Sequence, residues 1–336
     1  MTINYPALAF AFNPIIIEVL GLTEPVRIIA EGVTLEREQK NGKAVFDLQA
    51  IVQSLFNRKD FYKVPPTDTI LLKRVSFEVR SGGDVESASF DVIWGALQIG
   101  EVFSQTKTLT WFKNLPFTFP LYLSEAKQVL RRYDQNRYKE IGIHQKGKYS
   151  LRIPVNATER VVFRVNAGNE GGVFDYTFDY TFRAISKDTI IITLLVNECT
   201  NGIYLRWINK HGEYCYYLFN QGITSDDVRN SDIELNEFLT TIDYVDGYHL
   251  GTNKALLKEA QKSTRLYAPL VNDDTHKFLA SMVESPVVDL YRGKDDNGND
   301  IWISVNIAPG TTTRDKSPLQ DFECSLIFPK TFTQSL

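Results

Sequence analysis

The chain has 336 residues, which is enough for two or three domains of ordinary size. Hydrophobic residues make up 43% and charged residues 23%, close to globular averages, so the composition excludes a collagen, a coiled coil and a wholly disordered chain. The formal charge of −4 provides no overall basic field, so nucleic acid is not expected as a partner.

The start of the chain and its cysteines indicate the compartment. The apolar run over 14–19 has no basic leader and is too short for an export signal or a membrane span. Cys199, Cys215 and Cys324 are too few for a disulfide framework and are expected to be reduced packing residues. We therefore expect a soluble protein made in the cytosol.

Aromatic residues are abundant, with 21 Phe and 16 Tyr, and both types favour the half-buried surface of a pleated sheet. The predicted fold is mainly β: tandem β-sandwich modules, Ig-like or jelly-roll-like, with a few short helices and more α+β character toward the C-terminus. The predicted modules are an N-terminal β-sandwich over 1–105, a central β-sandwich over 106–220 and a mixed α+β module over 221–336.

In the first module, alternating apolar residues over 26–46 bracket Asn41-Gly42, which is a hairpin signal. Asp47 is a plausible cap for a short helix through Leu55. A second hairpin is expected from residues 70–80 and 86–94.

In the central module, two strands over 109–123 are followed by a helix that Ser124 would cap, running through Leu130. Six strands follow at short intervals, which is typical of a sandwich or an open barrel. They are predicted over 149–155, 161–165, 173–185, 189–196, 203–208 and 214–219.

In the last module, capped helices are predicted over 253–261 and 275–284. A hairpin is predicted from 287–291 and 301–307 across Asn297-Gly298, and a final strand over 322–328. The oxygen-rich residues 295–300 suit this hairpin turn, with a surface calcium ion as the alternative.

The residues from Phe174 to Phe182 contain a short repeat, Phe-Asp-Tyr-Thr-Phe-Asp-Tyr-Thr-Phe. In a single strand its five rings would share one face. That face would be either a sandwich core or an exposed platform for a sugar or another subunit.

Charge is segregated along the chain. Basic residues dominate near Arg131 and Arg132, and acidic residues dominate from Asp226 and Asp227 onward. These stretches are either solvated loops or complementary patches that steer a head-to-tail contact between subunits, the geometry that closes into rings.

No catalytic signature is present. The four histidines lie far apart and outside any tight metal-ligand spacing, and the common phosphate-binding and acyl-transfer motifs are missing. We expect no enzymatic activity, no catalytic residue, no cofactor and no bound metal.

Residues 205–219 combine a strand ending in Trp207-Ile208-Asn209, a turn built on Gly212 and an aromatic return strand. This segment resembles a hairpin of tail-region structural proteins from phages and prophages of Bacteroidetes, although His211-Gly212 stands where that pattern usually has two glycines. Phe12-Asn13-Pro14 and the C-terminal residues 321–336 fit the same resemblance.

The resemblance implies a virion component made in the bacterial cytoplasm, of tail-tip, baseplate or distal-tail type. It would form a homo-oligomeric ring, three- or six-fold, that binds other tail proteins.

The alternative function is a carbohydrate- or receptor-binding module, adhesin-like, whose rings stack on a host surface glycan. The candidate rings are those of Trp207, Tyr214, Tyr216 and Trp302. Exposed rings in a groove would favour this alternative, whereas buried rings would favour a scaffold.

Overall fold

The structure is a computed structural model that describes most of the chain. It describes the backbone of residues 1–56, 72–104, 107–112, 115–123, 128–134, 137–144, 147–153, 160–165, 170–175, 180–185, 190–230, 234–235, 241–243, 247–249, 254–255, 258–310 and 317–331. It describes the side chains of residues 1–56, 72–104, 107–112, 115–117, 195, 197–229, 258–310 and 317–331. The fold is mainly β and contains several sheets, which confirms the predicted class at that level.

The N-terminal part contains two sheets and one helix. The first sheet has the order β1 (Thr2–Asn4), β3 (Ile16–Leu20), β6 (Lys43–Asp47). The second has the order β2 (Leu8–Phe10), β8 (Asp84–Ile93), β7 (Leu72–Ser81), β4 (Val26–Ala30), β5 (Val33–Arg37). Helix α1 (Gln49–Leu55) begins where the Asp47 carboxylate accepts a hydrogen bond from the Gln49 amide at 2.9 Å.

One hydrophobic core joins the two sheets and α1. Val19 and Phe46 come from the first sheet, Val79 and Phe90 from the second, and Val52 from α1. Burial alternates along the strands because successive side chains point to opposite faces. Each fully buried aliphatic or aromatic side chain stabilises the fold by about 1.5 to 3 kcal/mol.

The predicted turns of this part are correct, but one pairing is wrong. Asn41 and Gly42 both have positive φ (56° and 73°), as a tight hairpin turn requires. However, β6 does not pair with β5. It pairs with β3 in the first sheet, where its buried residues contribute to the shared core. The second predicted hairpin, β7–β8, is confirmed.

The central part contains two further sheets. One has the order β10 (Phe117–Leu123), β13 (Gly147–Ile153), β14 (Arg160–Val165), β15 (Glu170–Asp175). The other has the order β12 (Arg137–His144), β11 (Gln128–Asp134), β16 (Tyr180–Ile185), β17 (Ile190–Asn197), β9 (Lys107–Phe112). The entering strand β9 and the leaving strand β17 are parallel neighbours.

Two predictions for the central part are wrong. The helix expected through Leu130 is contradicted by β11, whereas residues 124–127 lie outside the described residues. The strand expected over 173–185 is two strands, because β15 finds its backbone partners in one sheet and β16 in the other. Phe174 and Phe182 therefore do not share one strand face, and residues 176–179 lie outside the described residues.

The last part is a closed six-stranded barrel. Its strands follow the order β18 (Ile203–Ile208), β19 (Tyr214–Asn230), β24 (Lys258–Val271), β27 (Gln320–Ile327), β26 (Asp300–Ile307), β25 (Val288–Lys294). Helix α2 (Asp273–Val283) packs its buried residues Leu279 and Met282 into the barrel core. The short strands β20 (Glu234–Leu235) with β23 (Lys254–Ala255) and β21 (Thr241–Asp243) with β22 (Gly247–His249) form two small ribbons.

The barrel corrects the predicted boundary at 221, which falls inside β19. It also corrects the helix predicted over 253–261, where β23 and the start of β24 lie instead. The helix predicted from 275 is confirmed, since the Asn272 side chain accepts a hydrogen bond from the Thr275 amide at 2.8 Å. The hairpin β25–β26 is also confirmed.

Candidate functional site

The hairpin of residues 205–219 forms as its sequence predicts. Strands β18 and β19 pair in register from Ile203 opposite Phe219 to Ile208 opposite Tyr214. In the turn, the Asn209 side-chain oxygen accepts hydrogen bonds from the amides of His211 (2.9 Å) and Glu213 (3.0 Å). Gly212 takes φ of +72°, a conformation that favours glycine.

This turn is also where the barrel meets the N-terminal part. A β-carbon on Gly212 would lie 2.4 Å from the backbone oxygen of Trp94, and one on Gly95 would lie 2.6 Å from that of Lys210. The Ala96 amide donates to the Lys210 carbonyl at 2.7 Å. The two backbones approach so closely that both positions require glycine.

Ion pairs surround the same contact. The Glu101 carboxylate lies 2.8 Å from the Lys210 ammonium and 3.1 Å from Nε2 of His211. Although its partial burial acts to raise the pKa of Glu101, hydrogen bonds from the Gln98 amide and Lys210 and the charges of His211 and Lys210 lower it to about 2. The carboxylate therefore stays ionised and holds the two parts together.

We expect Glu101→Gln to lower the free energy of unfolding by about 1 to 2 kcal/mol at pH 7, since it removes charge-assisted hydrogen bonds. The folded-state pKa of Glu101 lies below its ordinary value of 4.5, so this stabilisation is present above pH 4.5 and fades as the pH falls toward 2. Urea unfolding at pH 7 and at about pH 3 measures it. Glu86→Gln, on the exposed part of β8, is the control, and an equal loss in both variants would contradict the assignment.

The four rings predicted to stack on a glycan are buried. Trp207 is 0% exposed, Tyr214 5%, and Tyr216 and Trp302 7% each. Trp207 lies inside the barrel, where its indole N–H donates to the Ser281 hydroxyl at 3.0 Å. No ring of the four is open to solvent, so the exposure that stacking in an open groove requires is not met at these residues.

Aromatic rings form a contact between the central part and the barrel strands β18 and β19, here called the aromatic joint. It consists of Phe112 and Phe117 against Tyr204, Tyr216 and Tyr217, with ring centroids 5.4 to 6.1 Å apart. The Tyr204 hydroxyl donates to the Pro116 carbonyl at 2.9 Å, and burial raises the pKa of this tyrosine. These rings bind one part of the chain to another.

A buried ion pair lies beside the aromatic joint. Nε of Arg206 donates to the Asp289 carboxylate at 2.9 Å, whereas Nη2 lies equally close to the same oxygen but outside hydrogen-bonding geometry. The guanidinium lies 4.3 Å from the ring centroid of Trp302 and 5.2 Å from that of Tyr214. The Ser304 hydroxyl donates to the other oxygen of Asp289 at 3.1 Å.

The predicted acidic residues Asp226 and Asp227 lie on a two-stranded extension of the barrel, here called the arm (residues 222–230 and 258–264). Its strands pair from Thr224 opposite Thr264 to Asn230 opposite Lys258. All ten residues from 220 to 229 are exposed. Since β18 pairs with β19 only as far as Phe219, the outer edge of the arm has no strand partner among the described strands.

The predicted basic residues lie elsewhere. Arg131 and Arg132 are on β11, between β12 and β16, and Arg132 is opposite Lys139 of β12. β12 is the last strand of its sheet, so its outer edge also lacks a strand partner among the described strands. The two predicted patches thus belong to different sheets, each next to a strand edge.

A cavity of about 560 Å³ lies where β9, the hairpin turn, β19 and the start of α2 meet. In its wall, the Glu213 carboxylate accepts hydrogen bonds from the Lys107 ammonium at 2.7 Å and from the Asn209 amide at 3.2 Å. The Cys215 thiol also lines it, and burial raises the pKa of that thiol, which keeps it protonated. No sequence motif pointed to this cavity, because its walls come from distant segments.

Comparisons with known proteins do not assign a family: no protein-family model matches the chain, and no curated protein matches it significantly. Within the described ranges, no three or more His, Cys, Asp or Glu side chains gather as a metal site would require. Neither of the two described helices has the length and apolar character needed to cross a bilayer.

Proposed function

We propose that this chain is a non-enzymatic structural protein of a phage or prophage tail, of tail-tip or baseplate type, that assembles into a ring through protein–protein contacts. The arm is the observation that carries the proposal. A long exposed strand edge offers unpaired backbone groups to another chain, and isolated soluble proteins usually protect such edges. The resemblance of residues 205–219 to tail proteins supplies the biological setting.

The contacts within the chain support a scaffold role. The barrel is joined to the N-terminal part by the close approach of Gly212 and Trp94, and to the central part by the aromatic joint. Such packed contacts suit a structural protein that transmits mechanical force between neighbouring proteins of an assembly. We also propose that the two N-terminal sheets, which share one core, form a β-sandwich of Ig-like or jelly-roll type.

The arm has the chemistry of a strand-addition site. Ile223 is 73% exposed and Val228 58%, and both flank the carboxylates of Asp226 and Asp227. Strand addition uses main-chain hydrogen bonds for affinity and side chains for specificity. On a second copy of the chain, Asp226 and Asp227, the latter also paired with Arg229, would face the edge of β12, where Arg137 and Lys139 outnumber Glu140. Such a head-to-tail contact generates a ring when its rotation closes.

We expect Asp226→Lys with Asp227→Lys to weaken self-association at least about tenfold, because like charges then face each other across the contact. Light scattering over a protein concentration series at about 0.15 M salt measures this. Glu36→Lys with Glu38→Lys, at the end of the exposed edge strand β5 and just after it, makes the same charge change away from the arm and is expected to leave assembly unaltered.

A charge exchange provides the second test of the contact. Arg131→Glu with Arg132→Glu should weaken association on its own and restore it when combined with the arm variant. Unaltered association in both double variants would contradict the electrostatic part of the proposal.

A further inference from the structure

We propose that the cavity between β9, the hairpin turn and α2 binds a neutral saccharide. This site is separate from the arm and goes beyond the proposed structural role. Its volume of about 560 Å³ lies within the range of small-ligand sites, about 300 to 1,000 Å³.

The cavity combines aromatic rings with polar groups that exchange hydrogen bonds. Tyr217 of β19 and Phe278 of α2 are half-buried and line it from two sides. Thr110, Asn272 and Asp274 add a hydroxyl, an amide and a carboxylate. A sugar ring has an apolar face for an aromatic partner and hydroxyls that both donate and accept, so this set of groups suits it.

The charges of the cavity argue against an anionic ligand. Lys107 is the one cation in the described wall, and the carboxylate of Glu213, 95% buried as a side chain, already neutralises it. Asp274 adds a further negative charge. At the start of α2, the Thr275 amide is occupied by the Asn272 side chain and the His276 amide by the Asn272 carbonyl. A phosphate or carboxylate would meet net negative charge, whereas a neutral polyol would not.

The chain offers a closely matched pair of variants. Asp273 and Asp274 are both exposed and both lie in the first turn of α2, but Asp274 lines the cavity and Asp273 does not. Replacing either by alanine removes one negative charge from the first turn of α2, and Asp273→Ala also removes an ion pair with Lys277. Only Asp274→Ala removes a hydrogen-bonding group from the cavity.

The experiment titrates the full chain with glucose, galactose, mannose, rhamnose and N-acetylglucosamine, using saturation-transfer NMR and then calorimetry. We expect at least one of them to bind with a Kd of about 1 mM or tighter. Asp274→Ala should weaken that binding at least about tenfold and Asp273→Ala less than about twofold. Phe278→Leu, which keeps an apolar side chain against Trp207, should also weaken it.

Three results would overturn the inference: no binding by any of the five sugars, equal loss in the two aspartate variants, or preference for a cationic probe such as spermidine. Light scattering of the same samples measures assembly independently of sugar binding. If no sugar binds while the chain still assembles, the saccharide site is contradicted and the proposed structural role is not.

Discussion

Replacing Gly212 by alanine is expected to lower the free energy of unfolding by about 2 to 5 kcal/mol. Two costs combine at this position. A side chain at φ of +72° is strained by about 1 to 2 kcal/mol. The new β-carbon would also lie 2.4 Å from the Trp94 carbonyl oxygen and 2.7 Å from the Ile93 side chain, which forces the two parts of the chain apart.

Gly298 provides the control for this prediction. It also lies in a hairpin turn with positive φ, +81°, but a β-carbon there would meet no atom within 4 Å. Gly298→Ala should therefore cost only the backbone strain, about 1 to 2 kcal/mol. Denaturant unfolding of both variants measures the difference. Equal losses would mean that the contact between the turn and Trp94 adds nothing to stability.

The second large effect is expected at the buried ion pair. Arg206→Met should lower the free energy of unfolding by about 3 to 5 kcal/mol, because it leaves the Asp289 carboxylate without its cation where its side chain is only 4% exposed. The variant also removes the guanidinium from the ring of Trp302.

A double-mutant cycle separates the ion pair from packing. Arg206→Met combined with Asp289→Leu replaces both charges by apolar groups and is expected to regain most of the loss, because no charge is then left unpaired. Thermal and denaturant unfolding of the three variants measure the coupling. Additive losses would show that the pair is not coupled and that Arg206 acts through its contacts with the rings alone.

Local structure, such as helix caps and tight turns, could be predicted from the sequence where a few neighbouring residues determine it. Asn272 caps α2 and Gly212 closes the β18–β19 turn because each acts within three or four residues. The prediction failed at 253–261, where residues spaced as in a helix lie in strands. Backbone pairing with β19 stabilises the start of β24 there, and such pairing is decided by distant residues.

Long-range pairing explains the remaining differences. The barrel closes because Leu205 pairs with Leu290, a partner more than eighty residues away that no local pattern reveals. The cavity could not be predicted for the same reason, because its walls come from segments far apart in sequence, near residues 107, 213 and 274. The aromatic rings were predicted to be important, but whether they face solvent or another part of the chain depends on this packing.

Ring assembly can be tested by measuring the oligomeric mass of the purified chain by light scattering, with negative-stain images of the same sample. We expect closed rings, three- or six-fold, that dissociate when Asp226 and Asp227 are replaced by lysine. A chain that remains a monomer across the concentration series, with the wild type and the arm variant indistinguishable, would contradict it.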